Sequence, residues 1–106
     1  MPTNKEDDNR LLKQAVDDAT AGKFEMSIHK VKQVLTKHPD SYIAHYVLAY
    51  NLRKERQYPS ALESIYQAKR RLSAAPEHMR RRILELAYRL EYECARLDRR
   101  MKAEIQ

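Results

Sequence analysis

The sequence predicts an all-α chain: an α-α superhelical solenoid of two helix-turn-helix repeats, ended by a long C-terminal capping helix. Three observations predict it. Residues 34 apart match in size, Ala15 with Ala49, Phe24 with Tyr58, Ser27 with Ala61, Ile28 with Leu62, Val31 with Ile65 and Val34 with Ala68. A period of that length belongs to two-helix units that bury their apolar faces only by stacking on one another. The composition favours helix, with one glycine and four prolines among 106 residues and most other positions taken by good helix formers. Beyond Pro76 there is neither glycine nor proline, so nothing interrupts a helix there.

Each element has its own warrant. Thr3 and Glu6 have capping-box spacing ahead of Leu11, Leu12, Ala15, Val16 and Ala19, which share one helical face, so a first helix is expected over residues 4–20. Gly22 follows where a helix can end in a left-handed residue without steric cost. A second helix opens at Lys23 or Phe24 and carries Ile28, Val31, Val34 and Leu35 until Pro39 stops it,. Asp40 or Ser41 caps a third, whose residues Ile43, Ala44, Tyr46, Val47, Leu48, Ala49, Tyr50 and Leu52 are apolar around most of the circumference, as a helix with neighbours on several sides requires. Pro59 suits the first turn of a fourth helix, through Ala61, Leu62, Ile65, Ala68 and Leu72, because its missing N–H has no partner to lose there. From Pro76 to about Glu104, Met79, Ile83, Leu86, Leu90, Cys94, Leu97 and Met101 recur every three or four residues. That predicts a single helix about 40 Å long.

The chain is short enough for one domain, divided into residues 8–41, 42–75 and 76–104,. Cys94 is its only cysteine, which excludes an internal disulfide and a cysteine zinc site and fits a reducing, cytoplasmic setting. No apolar run is long enough to cross a bilayer, and the first ten residues are too acidic and polar for a signal sequence,. His29, His38, His45 and His78 form no metal-ligand spacing, and no nucleophile, base and orienting group are drawn together, so neither a metal, a cofactor nor a catalytic site is expected. The net charge of +6 raises the odds of an acidic partner without choosing one.

With small and aromatic residues at these positions, the pattern resembles the tetratricopeptide repeat. In the second copy Leu48 and Ala49 match the family's Leu-Gly pair, Leu52 the aromatic position after it, Tyr58 the first aromatic of the second helix, and Ala61, Ile65 and Ala68 the A-x3-F-x2-A run. His45 replaces a tryptophan and Ser73 a proline. The first copy keeps Leu11, Ala15, Gly22, Phe24, Val31, Val34 and Pro39 and departs at Gln14, Asp18 and Ser27, as a terminal repeat with a polar outer face does. The resemblance covers about 68 of the 106 residues.

The resemblance implies a non-catalytic protein-protein interaction module, an adaptor or dedicated chaperone, whose first helices line a concave groove for a segment of another protein. By position that groove is Asn9, Leu12, Val16, Ile43, Tyr46, Tyr50 and Arg53. Leu12, Val16 and Val47 stand where relatives that grip acidic chaperone tails carry lysine and asparagine, so the ligand segment expected is apolar or amphipathic. Arg53 and Arg56 are available in sequence to pair with its acidic residues. Two alternatives rest on other residues. A basic patch of Lys69, Arg70, Arg71, Arg80, Arg81 and Arg82 suits a nucleic-acid or ribonucleoprotein-associated role, which ranks below the groove because no RNA-recognition pattern accompanies it. A seam of Leu90, Cys94, Leu97 and Met101 is expected to overhang the repeats and make a homo-oligomer or dock a partner helix.

Overall fold

A computed structural model describes residues 5–105, with side chains from residue 7. Helix α1 spans Lys5–Thr20, α2 Phe24–Lys37, α3 Tyr42–Lys54, α4 Tyr58–Arg70 and α5 Glu77–Ile105, with one 3₁₀ turn at Leu72–Ala74. The described residues are all-α and form a helical-repeat solenoid. Helices α1 and α2 make the first antiparallel pair, α3 and α4 the second; α2 packs on α3 and α4 on α5. The Thr3–Glu6 capping box lies outside the described residues.

The turns between paired helices repeat along with the side chains. Helix α1 ends at Gly22, whose φ is 81°. The N–H of Gly22 donates to Ala19 O at 3.1 Å and that of Lys23 to Asp18 O at 2.8 Å, a Schellman closure that satisfies two orphaned carbonyls. Helix α3 ends the same way 34 residues on. Arg56 N–H donates to Arg53 O at 2.9 Å and Gln57 N–H to Leu52 O at 2.8 Å, but here an arginine holds the left-handed position, at φ 62°. A side chain with a Cβ is strained there by about 1 kcal/mol. Arg56→Gly is therefore expected to stabilise the chain by about 1 kcal/mol, seen as a higher urea midpoint at unchanged slope; a lower midpoint would mean that the packing of the Arg56 stem outweighs the strain.

Ser41 rather than Asp40 caps α3, its Oγ accepting from the Ala44 N–H at 3.2 Å, and Pro59 sits in the first turn of α4. The turn before α3 is tied to α4 as well. His45 Nε2–H donates to Pro39 O at 2.8 Å, and Arg71 Nε–H donates to the same carbonyl at 2.9 Å. Burial and then the nearby Arg71 guanidinium hold the His45 pKa below its usual value, against the raising effect of its bond to Pro39.

Two clusters form the core. Ala15, Val31, Val34, Ala44 and Val47 join the first pair to α3, and Ala49, Leu52, Tyr58, Ala61, Ile65, Ala87, Leu90 and Cys94 join the second pair to α5. Between the pairs runs a buried polar chain. Asn51 Nδ2 donates to Ser27 Oγ at 2.7 Å, and Ser27 Oγ donates to Ala15 O at 2.6 Å. Ser27, a departure from the repeat pattern in sequence, thus faces the asparagine of the next repeat.

Helix α5 breaks the 34-residue register. Ala15 and Ala49 are fully buried, and the third small buried residue is Ala87, one helical turn beyond the position the period specifies; Ile83, at that position, is only half-buried. Lys69 near the end of α4 reaches Glu91 at 2.6 Å, while Tyr58 at the start of α4 shares a small cavity with Leu97, Met101 and Glu104. The two helices are antiparallel with that register, so the first turns of α5 run past the end of α4, beside the 3₁₀ turn. The expected overhang is therefore corrected: Leu90 and Cys94 are buried and Leu97 and Met101 pack on the second cluster, and beyond Met101 Ile105 is an exposed large apolar residue. Leu90 and Cys94 of the seam are thus used inside the chain, while Leu97 and Met101 are partly buried.

Candidate functional site

Alternate helices of the solenoid, α1, α3 and α5, frame one face, because the intervening helices stack behind them. Three depressions open there. The first, about 480 Å³, lies between Asp8, Asn9 and Leu12 of α1 and Tyr42 and Ile43 of α3, with Val34 and His38 behind. The second, about 210 Å³, is apolar, lined by Val16, Ala19 and Thr20 of α1 with Tyr46, Val47 and Tyr50 of α3. The third, about 250 Å³, lies between Tyr46, Tyr50, Arg53 and Lys54 of α3 and Leu86, Arg89, Leu90 and Glu93 of α5. All seven residues expected to line a groove border one of the three, and Tyr46 and Tyr50 border two of them.

The spacing of α3 creates that arrangement. Tyr46 and Tyr50 are one turn apart and share a face, while Val47 and Ala49 between them point into the core. Burial raises the pKa of the Tyr46 phenol, with Tyr50 adding to the rise and Arg89 opposing it. The Lys54 ammonium stands 5.5 Å from the centre of the Tyr50 ring, within range of a cation–π attraction.

The cations differ from those the sequence suggested. Arg53 is committed to Glu93 of α5, and its Nε is buried without a partner, so it serves the α3–α5 contact. Arg56 lies in the cavity beside Tyr58, Leu97 and Met101, away from Tyr46 and Tyr50. Lys54 and Arg89 line the third depression beside Arg53 and, unlike it, make no ion pair among the described residues. Nothing in the sequence separates Arg89 from its many neighbouring arginines; only the packing of α5 against α3 selects it.

At the far end of the face Asp8 is buried, 2.8 Å from His38 Nε2 and 3.8 Å from Lys37 Nζ. The six residues of the basic junction are spent differently from one another. Lys69 pairs with Glu91 and lies 4.9 Å from the Tyr88 ring. Arg70 stacks on Tyr66, Arg71 donates to Pro39 O and to Gln67, and Arg80 reaches Ala75 O at 3.4 Å. Arg81 approaches Glu77 at 4.0 Å, and Arg82 is exposed. Lys69 and Arg71 thus have internal partners, while Arg80, Arg81 and Arg82 are exposed.

Cys94 is fully buried, and that burial pushes its thiol up to about 11, with Glu93 adding and Arg53 opposing; it stays a thiol at neutral pH, unlike an activated nucleophile. Among the described residues no cluster of His, Cys, Asp or Glu is suited to a metal ion, and none of the helices is long and apolar enough to cross a membrane. No protein-family model, curated protein or solved structure matches the chain.

Proposed function

We propose that this chain is a non-catalytic protein-interaction module of the tetratricopeptide kind, a cytoplasmic adaptor or dedicated chaperone that holds an apolar or amphipathic segment of another protein. The observation that carries the reading is the meeting of two depressions at Tyr46 and Tyr50, one of them walled by Val16, Ala19 and Val47. Tyrosine gives a rigid contact area with a polar tip at small entropic cost, and such residues dominate binding energies where they fill a desolvated pocket.

The mechanism is burial. Apolar side chains of the ligand segment leave water on either side of the two rings, at about 25 cal/mol per Å² of apolar surface covered. Lys54 and Arg89, beside the rings, favour a ligand whose polar face is acidic, and contribute orientation and association rate more than affinity. Leu12, Val16 and Val47 on this face supply no donor to clamp a terminal carboxylate, which separates the reading from tail-clamping relatives.

The test is a selection of binders from a library of amphipathic helical peptides, followed by amide chemical-shift mapping on the labelled protein. Binding is expected to move signals of Val16, Val47 and Tyr50. The Tyr46→Ala, Tyr50→Ala double variant, checked for helix content, should then lose at least about thirtyfold in affinity, the loss of one strong anchor. Shifts confined to other surfaces, or full affinity in the folded double variant, would overturn the reading.

A further inference from the structure

The outward face of α5 holds exposed aromatic and basic side chains that the groove reading leaves unused. Tyr88 and Tyr92 are 55% and 70% exposed. At 100° per residue, Arg81, Tyr88, Tyr92, Arg96 and Arg99 fall within an arc of about 80° and a length of about 27 Å; Arg89, at the edge of that arc, lines the groove. All five are exposed, and the arc lies opposite the side on which Ala87, Leu90 and Cys94 are buried. Among the described residues no helix packs over it, since α4 and α3 occupy the buried side, although Lys69 of α4 reaches its edge at Tyr88.

Charge on this arc is one-sided. Glu85 is the sole acidic residue within it. Among the described residues no ion pair engages Arg89, Arg96 or Arg99, and Arg81 has only the 4.0 Å approach of Glu77, both groups being more than three-quarters exposed. Arg96 and Arg99 have no carboxylate at i+4 or i−4, the spacing at which surface arginines are commonly neutralised, and with Arg81 they make three guanidinium groups that share one ridge with two phenol rings. A guanidinium fork fits phosphate oxygens in a bidentate manner, and a tyrosine ring presents a π-face on which a base of any sequence stacks.

We infer that the exposed face of α5 binds single-stranded nucleic acid without sequence preference, its arginines on phosphates and Tyr88 and Tyr92 under the bases. Charge complementarity alone would admit an acidic protein segment too. The two exposed rings interleaved with the arginines decide for the strand, because a chain of carboxylates carries no aromatic ring to stack on them. Lys69 borders this surface, 4.9 Å from the Tyr88 ring, which leaves Tyr92 the more open of the two rings; Arg71 is tied down within the chain, and Tyr46 and Tyr50 lie in the groove.

Fluorescence anisotropy of a labelled oligouridylate of about 12 nucleotides against the full chain tests it, with a labelled polyglutamate peptide of the same length as the comparison. Binding is expected at about 50 mM salt and should weaken roughly 20- to 50-fold by about 200 mM, as three or four phosphate contacts require. Tyr92→Ala should cost at least about fivefold, the loss of one stacked base, and Arg96→Gln with Arg99→Gln should lower the salt slope by about one to two. These side chains are exposed, so helix content should not change, and the Tyr46→Ala, Tyr50→Ala variant should bind the oligonucleotide as wild type does. The inference is overturned by absence of binding at low salt, by polyglutamate binding as tightly, by an unaffected Tyr92→Ala, or by equal loss in the groove variant.

Discussion

Ile65→Ala is expected to destabilise the chain by about 2–5 kcal/mol, a large share of the roughly 5–15 kcal/mol available to a domain. Ile65 is fully buried and belongs to the cluster of Ala49, Leu52, Tyr58, Ala61, Ala87, Leu90 and Cys94, drawn from α3, α4 and α5. Alanines at three of those positions bring the helix backbones close, and they leave little side-chain mass that could move into the space three lost carbons would open. The cavity term therefore adds to the lost transfer energy. Thermal melting should show the midpoint falling by more than about 10 °C. A fall of only a few degrees would mean that α5 slides in to close the gap and that the contact between the second repeat and α5 is soft.

The second large effect comes from a residue that looks harmless. Ser27→Ala restores the residue found at the equivalent Ala61, and by the repeat pattern it should be neutral. It is instead expected to cost about 2 kcal/mol, because Asn51 is fully buried and its Nδ2 donates to Ser27 Oγ. Without that hydroxyl the amide is left with no partner, since Asn51 Oδ1 already has none. An unsatisfied buried polar group costs about 1–3 kcal/mol, more than a hydrogen bond nets when both partners are present. Ser27→Ala combined with Asn51→Leu should recover most of the loss, since an apolar pair of similar volume leaves nothing unpaired. Urea unfolding of the two single variants and the double gives the coupling directly. Additive costs would show that Ser27 and Asn51 act independently, through packing alone.

How much of this was legible beforehand follows from the range over which each signal acts. Helix boundaries came through because caps and stops are local: Gly22, Pro39, Ser41 and Pro59 act within a few residues of themselves, whatever the rest of the chain does. The left-handed Arg56 was hidden, although it stands 34 residues after Gly22, because an arginine carries no mark of a positive φ. The groove face was legible as a set of positions, since alternate helices of a repeat must share a side. Its charge was not, because Arg53 and Arg89 have the same side chain, and only the pairing of Arg53 with Glu93 tells them apart.

By itself the sequence determined the all-α class, the repeat, the paired helices and the residues that point inward, because periodicity and capping are properties of neighbouring residues along the chain. Tertiary structure alone decided where α5 sits. Its apolar stripe is continuous over most of the helix and can be laid on the second repeat at more than one turn. Burial of Ala87 against α4, with Lys69 to Glu91 and Arg53 to Glu93 closing beside it, selects the register that covers Leu97 and Met101 and turns Tyr88 and Tyr92 toward water. Contacts between residues 22 and 40 positions apart set that choice, and no local pattern encodes them.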